Sequence, residues 1–535
     1  MNSVTINITP STPMGSRSSS NSNSEENLVS ECGDFETAIS VAGFGKFNLF
    51  LALIATFTGL ATVFELRSMS YILPAAECDL NLSLEEKGML TAVSLGGMVA
   101  TGFIWGYVAD TMGRKKLIII VCFLDSFFCM VAALSQALIP LMMAKFLGGM
   151  IISGVHACLT SYLTELHGAR YRSIVQLFLG NIAGLGDLLL PIIAMTVLPS
   201  EINFKISDHL VIKPWNIFLL ICAVPSFVGA IGFMFLPESP RFLMSINKND
   251  EALEVFRSIY RINTGNPKFT YPVKFLSSEK ELNSHRELAV DHLKLGISPT
   301  NAAEECWRQI ELMFHSKNLK NIVLIVIIQY LILMSSDSVE LWLPQIFEKL
   351  YYYQETHGGS ASICSALDEL QKGSNADKLC EEGWNRKQFV YVYCMAAAFS
   401  TFAVFALSGA VVNFLGKRKL LMILGSGSAL STLVLALSED IVLAVLLTSV
   451  IIAFGNIGCN AVIGMVADLF PTNLRAMAVS LVITFGRLGG AIGCFIFPLF
   501  LQYGCAGPLI FIGIAMIVWT LLMYPLPETD MKTLE

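Results

Sequence analysis

Charged residues are scarce in this chain of 535 residues: Asp, Glu, Lys and Arg make up 14% of it, where an average soluble domain has about 25%. Basic residues are not in excess either, since 35 Lys and Arg stand against 42 Asp and Glu, which argues against a nucleic-acid-binding protein. Hydrophobic residues make up 54%, and the mean hydropathy is +0.62. This composition excludes an ordinary soluble enzyme and is typical of a protein whose solvent is mostly lipid.

Signatures of catalysis and of metal binding are also missing. The sequence has no P-loop, no Gly-x-Ser-x-Gly motif and no His, Cys, Asp and Glu constellation with metal-ligand spacing. The 13 cysteines do not resemble a secreted disulfide scaffold, because most of them lie inside apolar runs. The sequence therefore predicts that the protein is not an enzyme and needs no cofactor and no metal.

Long apolar runs are abundant instead. A membrane helix needs about 20 apolar residues, and twelve runs meet or approach that length. They are too long for barrel strands and do not alternate with period two, so the predicted fold class is an all-α membrane protein with twelve transmembrane helices. The predicted spans lie at about 47–73, 88–109, 117–136, 139–163, 174–198, 215–236, 319–345, 389–412, 419–437, 441–467, 476–501 and 506–525.

Polar segments divide these spans into two groups of six. The Ser-rich and Asn-rich start of the chain predicts a disordered cytoplasmic tail over 1–43. The remaining predicted parts are an N-terminal half (44–236), a cytoplasmic linker with short helices, one of them at about 249–262 (237–317), a C-terminal half with an outer or luminal loop at 348–388 (318–525), and a cytoplasmic C-tail (526–535).

The distribution of Lys and Arg predicts the orientation. With the N-terminus inside, the short inner loops hold nine basic residues, and the short outer loops hold three. The inner residues are Arg114, Lys115, Lys116, Arg170, Arg172, Lys417, Arg418, Lys419 and Arg475, and the outer ones are Lys87, Lys205 and Lys213. Both termini are therefore expected in the cytoplasm of a multi-pass protein of the plasma membrane or of an intracellular vesicle membrane.

Two motifs recur at one offset in the sequence. The motif Gly106-x-x-x-Asp110-x-x-Gly113-Arg114 returns in the second half as Gly409-x-x-x-Asn413-x-x-Gly416-Lys417. An acid seven positions before an arginine recurs at the same offset, as Glu165 with Arg172 and as Asp468 with Arg475. Two independent motifs at this shared spacing, called the repeat offset below, predict two six-helix halves that arose by duplication.

The first motif resembles the loop signature of the major facilitator superfamily almost residue for residue. Pro237-Glu238-Ser239-Pro240-Arg241, Tyr162-Leu-Thr-Glu165 and Pro527-Glu528-Thr529 are similar to its sugar-porter and organic-ion branch. Gly43-Phe-Gly45, Ile72-Leu73-Pro74-Ala75-Ala76-Glu77 and the enlarged outer loop resemble the synaptic vesicle glycoprotein 2 group and its relatives. The resemblance covers about 43–530 and implies the major facilitator fold.

The repeated motifs predict a charge cluster that closes the cytoplasmic side in one state and opens in the other. Arginine can bridge carboxylates bidentately, and glycine allows tight turns and close helix contact. The alternative is that these charges only set the topology. The predicted gating residues are Gly106, Asp110, Gly113, Arg114, Glu165, Arg172, Glu238, Arg241, Asn413, Asp468 and Arg475.

Ionisable side chains at membrane depth are candidate functional residues, because each costs roughly 2.5–3.5 kcal/mol on insertion scales. For each of them contact with substrate or proton, structural pairing between helices and snorkelling to the interface remain open. The candidates are Glu65, Asp125, Lys145, Asp187, Asp337 and Arg487, with the amides Gln329, Asn456 and Asn460 as softer candidates; Arg67 and Glu340 also lie within spans.

Depth within the spans predicts which charges meet. Glu65 and Lys145 lie at similar depth on the first and fourth spans, so they are expected to pair. Asp187 has no cation on its own helix or at a clearly adjacent position and is expected to carry a proton. Asp187 and Arg487 share a depth on equivalent helices and are expected to face a substrate from opposite sides.

The outer loop holds two cysteines, Cys364 and Cys380. On an oxidising side of the membrane they are expected to form a disulfide, and the alternative is two free thiols in a mobile loop.

The sequence predicts a secondary active transporter of a small organic solute, either an organic ion or a sugar-like compound, working by alternating access with protons as a candidate coupling ion. The predicted partners are the solute, protons and the lipid bilayer, with no nucleic acid. The alternative is a carrier-fold protein of a vesicle membrane that acts as a receptor or regulator with little transport.

Overall fold

The computed structural model of the chain describes residues 32–276, 316–357, 364 and 388–526, apart from the single positions 103, 201, 209, 471 and 505. Each of the twelve predicted spans coincides with a helix or a pair of helices. The first six are α2 (Lys46–Leu80), α3 (Leu84–Thr101) with α4 (Ile104–Met112), α5 (Arg114–Leu134), α6 (Leu138–Glu165), α7 (Arg172–Val197) and α8 (Pro214–Met234). The second six are α11 (Ser316–His357), α12 (Gln388–Leu415), α13 (Lys417–Leu437), α14 (Ile441–Leu469), α15 (Thr472–Leu501) and α16 (Ala506–Leu522).

Nine of these helices are long and apolar enough, within the part of the chain that the structure describes, to cross a membrane. Shorter apolar helices lie at Gln388–Val404 and Ala506–Leu522. The second predicted span is the exception, because the helix is interrupted near residue 102 and its first turn carries Glu85, Glu86 and Lys87. Ser83 caps that turn by accepting a hydrogen bond from the backbone N–H of Glu86. The architecture is the predicted all-α membrane fold.

The duplication is visible in the backbone. Helices α5 and α13 have 21 residues each and begin at equivalent positions of the repeated motif, and the following helices α6 and α14 begin at the same repeat offset. Gly113 and Gly416 precede α5 and α13 with φ of 90° and 76°, a region that glycine adopts without steric cost. The repeated glycine therefore makes the same turn in both halves.

Close helix approach holds the first half together. A Cβ atom added at Gly97 on α3 would lie 2.1 Å from the carbonyl oxygen of Phe146, and one added at Gly149 on α6 would lie 2.2 Å from that of Ser94. The two backbones are therefore in direct contact, as small residues permit in membrane helices. This contact brings Ser94 and Lys145 together.

Helix α11 is longer than predicted. It continues to His357, so residues 348–357, which the sequence assigned to the outer loop, are helical. Aromatic contacts extend this end: Tyr351 stacks on Phe389 with ring centroids 5.8 Å apart, and Phe347 meets Tyr393 at 6.0 Å. A short hairpin joins α7 to α8, with β2 (Phe204–Ser207) antiparallel to β3 (Leu210–Ile212).

Residues 32–48, 166–169 and 240–276 belong to a separate small unit. It contains α1 (Phe35–Ala42), α9 (Pro240–Ser245) and α10 (Asn249–Thr264), where the sequence predicts a helix at about 249–262, together with a 3₁₀ turn at Lys268–Thr270. Strand β1 (Cys32–Gly33) pairs in parallel with β4 (Phe275–Leu276). The phenyl rings of Phe35 and Phe256 pack edge to face at 5.9 Å.

The prediction of a disordered tail through residue 43 is wrong for helix α1. Asp34 caps this helix, since its carboxylate accepts from the backbone N–H of Thr37 at 2.9 Å, and this hydrogen bond lowers the pKa of Asp34. The hydroxyl of Tyr271 donates to the carbonyl of Ala38 at 2.6 Å. The polar composition of residues 1–43 as a whole concealed a short amphipathic stretch at its end. Residues 1–31, 277–315, 358–363, 365–387 and 527–535, with the predictions made for them, lie outside the described residues.

Candidate functional site

A small cavity of about 30 Å³ lies among helices of both halves. This volume has room for about two water molecules, so an organic solute enters only when the surrounding helices move apart. From the first half, α2 contributes Arg67, Ser70 and Tyr71, and α7 contributes Asp187. From the second half come the lining residues Glu340, Leu341, Leu343, Cys394, Ala397, Ala398, Thr401 and Ile452.

Three charged side chains meet at one side of this pocket. One nitrogen of the Arg67 guanidinium lies 2.5 Å from an oxygen of Asp187 and also contacts an oxygen of Glu340. These side chains are only 19%, 10% and 11% exposed, respectively. We call Arg67, Asp187 and Glu340 the pocket triad. Because Arg67 and Asp187 belong to the first half and Glu340 to the second, the triad joins the two halves.

Helix α2 directs its charges toward two different places. Arg67, Ser70 and Tyr71 are three and four residues apart and share the face that lines the pocket. Glu65 and Ser68 are three residues apart on another face and contact Lys145 of α6. One helix therefore serves the pocket and a separate polar cluster inside the first half.

That second cluster is centred on an ion pair. The ammonium of Lys145 lies 2.5 Å from Glu65 and donates to the hydroxyl of Ser68 at 3.1 Å, while the hydroxyl of Ser94 donates to Glu65 at 3.1 Å. The side chains of Lys145 and Glu65 are 0% and 2% exposed. Gly148 leaves room for the carboxylate, since a Cβ atom there would lie 2.9 Å from it. The structure thus places Glu65 and Lys145 together, as their depth in the spans predicts.

Asp125 on α5 is buried beside this cluster without an ion pair in the described part of the chain. Its carboxyl group meets the hydroxyl of Ser226 on α8. Its other oxygen has no hydrogen-bond partner among the described residues. Asp125 is 3% exposed and does not line the pocket.

The remaining predicted residues are dispersed. Asp337 and Arg487 interact electrostatically with each other, and neither lines the pocket. The expectation that Asp187 and Arg487 face a substrate from opposite sides stays a prediction. Gln329 is buried and donates to the sulfur of Cys459 at 2.9 Å.

Two predicted amides lie on α14. Asn456 interacts with the carboxylate of Glu340 and so lies next to the pocket triad. Asn460 is exposed and donates to the carbonyl of Asn456 on its own helix at 2.8 Å.

The expectation that Asp187 lacks a cation is wrong, because Arg67 reaches it from another helix. Depth along a span was known from the sequence, but the direction in which each side chain points around its helix was not. Arg67 and Glu340 are therefore the functional candidates that sequence reasoning left without a role. The signal that could have found them is the i, i+3, i+4 grouping of Arg67 with Ser70 and Tyr71 on one face of α2.

Two equivalent ion pairs involve predicted gating residues, the second of them together with Lys417, which was not predicted as one. Arg114 lies 3.5 Å from Glu165 in the first half, and Lys417 pairs with Asp468 in the second. Both members of the second pair stand at the repeat offset from those of the first. We call this side of the bundle the Arg114 end.

A second contact also recurs at the Arg114 end. The ammonium of Lys115 donates to the carbonyl of Met234 at 3.2 Å, and Arg418, which stands at the repeat offset from Lys115, donates to the carbonyl of Tyr524. In both halves, therefore, a basic side chain two residues after the repeated glycine donates a hydrogen bond to a backbone carbonyl. That carbonyl lies in the last helix of the half or just beyond it.

Other gating candidates surround the first pair. Glu238 accepts from the backbone N–H of Lys115 at 2.9 Å, and Ser239 donates to Glu165. Arg172 donates to the carbonyl of Thr164 at 3.2 Å. Within the small unit, the guanidinium of Arg241 lies 5.7 Å from the ring centre of Phe35. The side chains of Gly106, Asp110, Asn413 and Arg475 lie outside the described residues.

Near the C-terminal end of α2, the side chain of Glu77 connects the two halves. It lies 2.6 Å from Lys87 and accepts from the amide of Gln345 on α11 at 3.1 Å. Asp79 nearby stays within the first half, where it pairs with Lys213 and accepts from the indole of Trp215 at 2.8 Å.

Cys364 is disulfide-bonded. Its predicted partner Cys380 lies outside the described residues, so that pairing stays a prediction. No group of three or more His, Cys, Asp and Glu side chains is placed to hold a metal ion in the described part of the chain.

Comparison with known proteins places the sequence in a family. The profile of the family described as "Sugar (and other) transporter" matches residues 47–355, and that of the "Major Facilitator Superfamily" matches residues 383–535. Among curated proteins, synaptic vesicle glycoprotein 2B of Rattus norvegicus is 28% identical over 268 residues, which are 49% of this chain and 39% of that protein. Synaptic vesicle glycoprotein 2C of Rattus norvegicus is 23% identical over 334 residues, 61% and 46% of the two chains. The matches thus span less than half the length of these relatives.

Solved structures show the same fold. A D-xylose-proton symporter superimposes with a TM-score of 0.64 at 16% identity, covering 91% of this chain and 100% of that one. An inward-open xylose transporter from E. coli gives a TM-score of 0.64 at 16% identity and covers 91% and 98%. These similarities establish the major facilitator fold, with two six-helix halves.

Proposed function

We propose, from the premise that this chain belongs to the sugar (and other) transporter family of the major facilitator superfamily, that it is a secondary transporter of a small organic solute. The observation that carries the proposal is a small cavity lined by both halves, which the pocket triad connects across them. Secondary transporters of this architecture bind substrate at the interface between repeats and rock the repeats around it.

The pocket triad includes a contact between the two halves, and the rocking movement of the halves must change this contact. Arg67 and Asp187 belong to one half and can move together, whereas the contact between Arg67 and Glu340 crosses to the other half. Movement of the halves breaks the second contact and keeps the first. The Arg67–Glu340 contact therefore reports the conformational state, and a ligand that binds Glu340 changes the balance between states.

Protons are the proposed coupling ion. Two carboxylates share one guanidinium in the triad, so the group carries one uncompensated negative charge when all three members are ionised. A proton on Glu340 removes the charge that holds Arg67 to the second half. Gradient-driven protonation at this position thus couples to the rocking movement. The Glu65–Lys145 pair is already balanced, and we assign it a structural role.

The two equivalent ion pairs at the Arg114 end each join helices of a single half. The excess of Lys and Arg in the loops there favours a cytoplasmic location. We propose that these pairs fix the ends of helices within each half, so that each half moves as a rigid body while the pocket opens.

Uptake into proteoliposomes tests the function. Purified protein reconstituted at pH 7.5 is offered a panel of labelled organic cations, organic anions and sugars, with and without an imposed pH gradient. At least one solute is expected to accumulate above the level of empty liposomes, and a protonophore is expected to abolish the accumulation that depends on the gradient. Glu340→Gln should remove the dependence on pH, whereas Asp79→Asn, which alters an acid on α2 away from the pocket, should keep it.

A folded protein that moves no member of the panel under any gradient would contradict the proposal. That result would favour the alternative of a carrier-fold receptor or regulator of a vesicle membrane, for which the similarity to synaptic vesicle glycoproteins is the supporting observation.

A further inference from the structure

The pocket has buried polar atoms that protein groups leave unused. The hydroxyl oxygens of Ser70 and Thr401 are buried and have no hydrogen-bond partner among the described residues, and both residues line the pocket. Buried hydroxyls without a partner cost free energy, so most are satisfied in native proteins. Two of them at one cavity, on helices of opposite halves, indicate that the cavity is built to receive a molecule with hydrogen-bonding groups.

The charge of the pocket is unbalanced. Its twelve lining residues include one cation, Arg67, and two acids, Asp187 and Glu340. Asp337, one turn before Glu340 on α11, interacts electrostatically with Arg67 and also with Arg487, so counting both of these charges leaves an excess of one negative charge. In a site with low dielectric such an excess is felt strongly, because the Coulomb energy scales inversely with the dielectric constant.

The excess favours one class of solute. An anion would face two carboxylates and a guanidinium that already serves both of them. A neutral polyol would leave the excess charge in place. A cationic group neutralises it.

The remaining residues of the pocket wall indicate that the uncharged part of the solute is apolar. Leu341, Leu343, Ala397, Ala398 and Ile452 are apolar and occupy the second-half side of the pocket. We infer that this site, once movement of the halves enlarges it, binds a small amphipathic organic cation, an amine with an apolar body and a hydrogen-bonding group. This cation and one proton are alternative ligands that neutralise the pocket triad. The inference rests on the proposed function for its transport role, but it concerns binding and is tested by binding.

The native thiol of Cys394 reports occupancy, because it lines the pocket and is free. Purified protein is treated with a small neutral thiol reagent in the presence of 2-phenylethylamine, 2-phenylethanol, phenylacetate or D-xylose. The first three share one apolar body and differ in charge. Mass spectrometry measures the modification rate of Cys394 relative to the same sample without a probe, which cancels the effect of pH on the thiol itself.

The amine is expected to protect Cys394 at a concentration at least about tenfold lower than the alcohol, the carboxylate or the sugar, since a charge-assisted contact supplies that preference. Protection by the amine should weaken between pH 7.5 and pH 5.5, because protons then compete for the triad. Glu340→Gln should abolish both the preference and its dependence on pH, whereas Asp79→Asn should keep both.

Equal protection by 2-phenylethanol, stronger protection by phenylacetate or D-xylose, or no protection by any probe overturns the inference. The proposed transport function is judged separately by access to Cys394 from the two sides of a membrane. If the amine is preferred but Cys394 is accessible from one side only, the inference stands and the transport function is rejected. If Cys394 is accessible from both sides but the amine is not preferred, transport stands and the inference is rejected.

Discussion

Arg67→Gln is expected to lower transport on the order of 100-fold, because truncating one partner of a buried charge network costs about 2–5 kcal/mol and each 1.4 kcal/mol is a factor of ten. The substitution leaves the carboxylates of Asp187 and Glu340 close together at one side of the pocket without their shared cation. Arg67→Lys should rescue only part of the activity, since a lysine ammonium is more strongly hydrated than a guanidinium and sits on a more flexible stem. Initial uptake rates in proteoliposomes, normalised to the amount of folded protein, measure the effect.

Arg487→Gln is the matched control for that prediction. Arg487 is also an arginine within a membrane-spanning helix, but it forms no ion pair in the described part of the chain and does not line the pocket. Its neutralisation is expected to change transport far less than that of Arg67. If Arg487→Gln were the more damaging of the two, the solute would pass elsewhere than through the pocket triad.

Lys145→Met is expected to destabilise the protein by about 3–5 kcal/mol, because it leaves the Glu65 carboxylate buried without a cation. Glu65→Gln alone should also destabilise, and the double variant Glu65→Gln with Lys145→Met should recover much of the loss because no unpaired charge remains buried. Thermal unfolding of the purified variants in one detergent measures these differences.

Lys213→Gln provides the comparison for this pair. Lys213 pairs with Asp79 at 35% side-chain exposure, and exposed pairs contribute at most about 1 kcal/mol. A double variant of Glu65 and Lys145 no more stable than the worse single variant would show that the two charges do not depend on each other.

The fold was accessible from the sequence for a physical reason. Twelve apolar runs of spanning length and a repeat at one offset leave few architectures, because lipid forces every backbone polar group to be satisfied within a helix or a closed barrel. The glycine turns at Gly113 and Gly416 then follow from the duplicated motif. The motif did not specify that Glu165 and Asp468 pair with Arg114 and Lys417.

The site was accessible only in part. The depth of a residue along a span can be counted from the sequence, and this depth predicted that Glu65 and Lys145 would pair. The direction of a side chain around its helix depends on packing, so the meeting of Arg67 with Asp187 and Glu340 could not be counted from sequence position. Helix α1 escaped prediction because its burial depends on α10, which is distant from it in the sequence.

Access of Cys394 from the two sides of the membrane tests alternating access at this pocket most directly, and it requires no knowledge of the solute. Intact and inside-out vesicles are treated with a membrane-impermeant, positively charged methanethiosulfonate, and the signal of the Cys394→Ala variant is subtracted to remove the other thiols. Because Cys394 is buried in the pocket between the halves, we predict modification from both sides, with an imposed pH gradient shifting the ratio of the two rates. Modification from one side only, whatever the gradient, would contradict alternating access around the pocket triad.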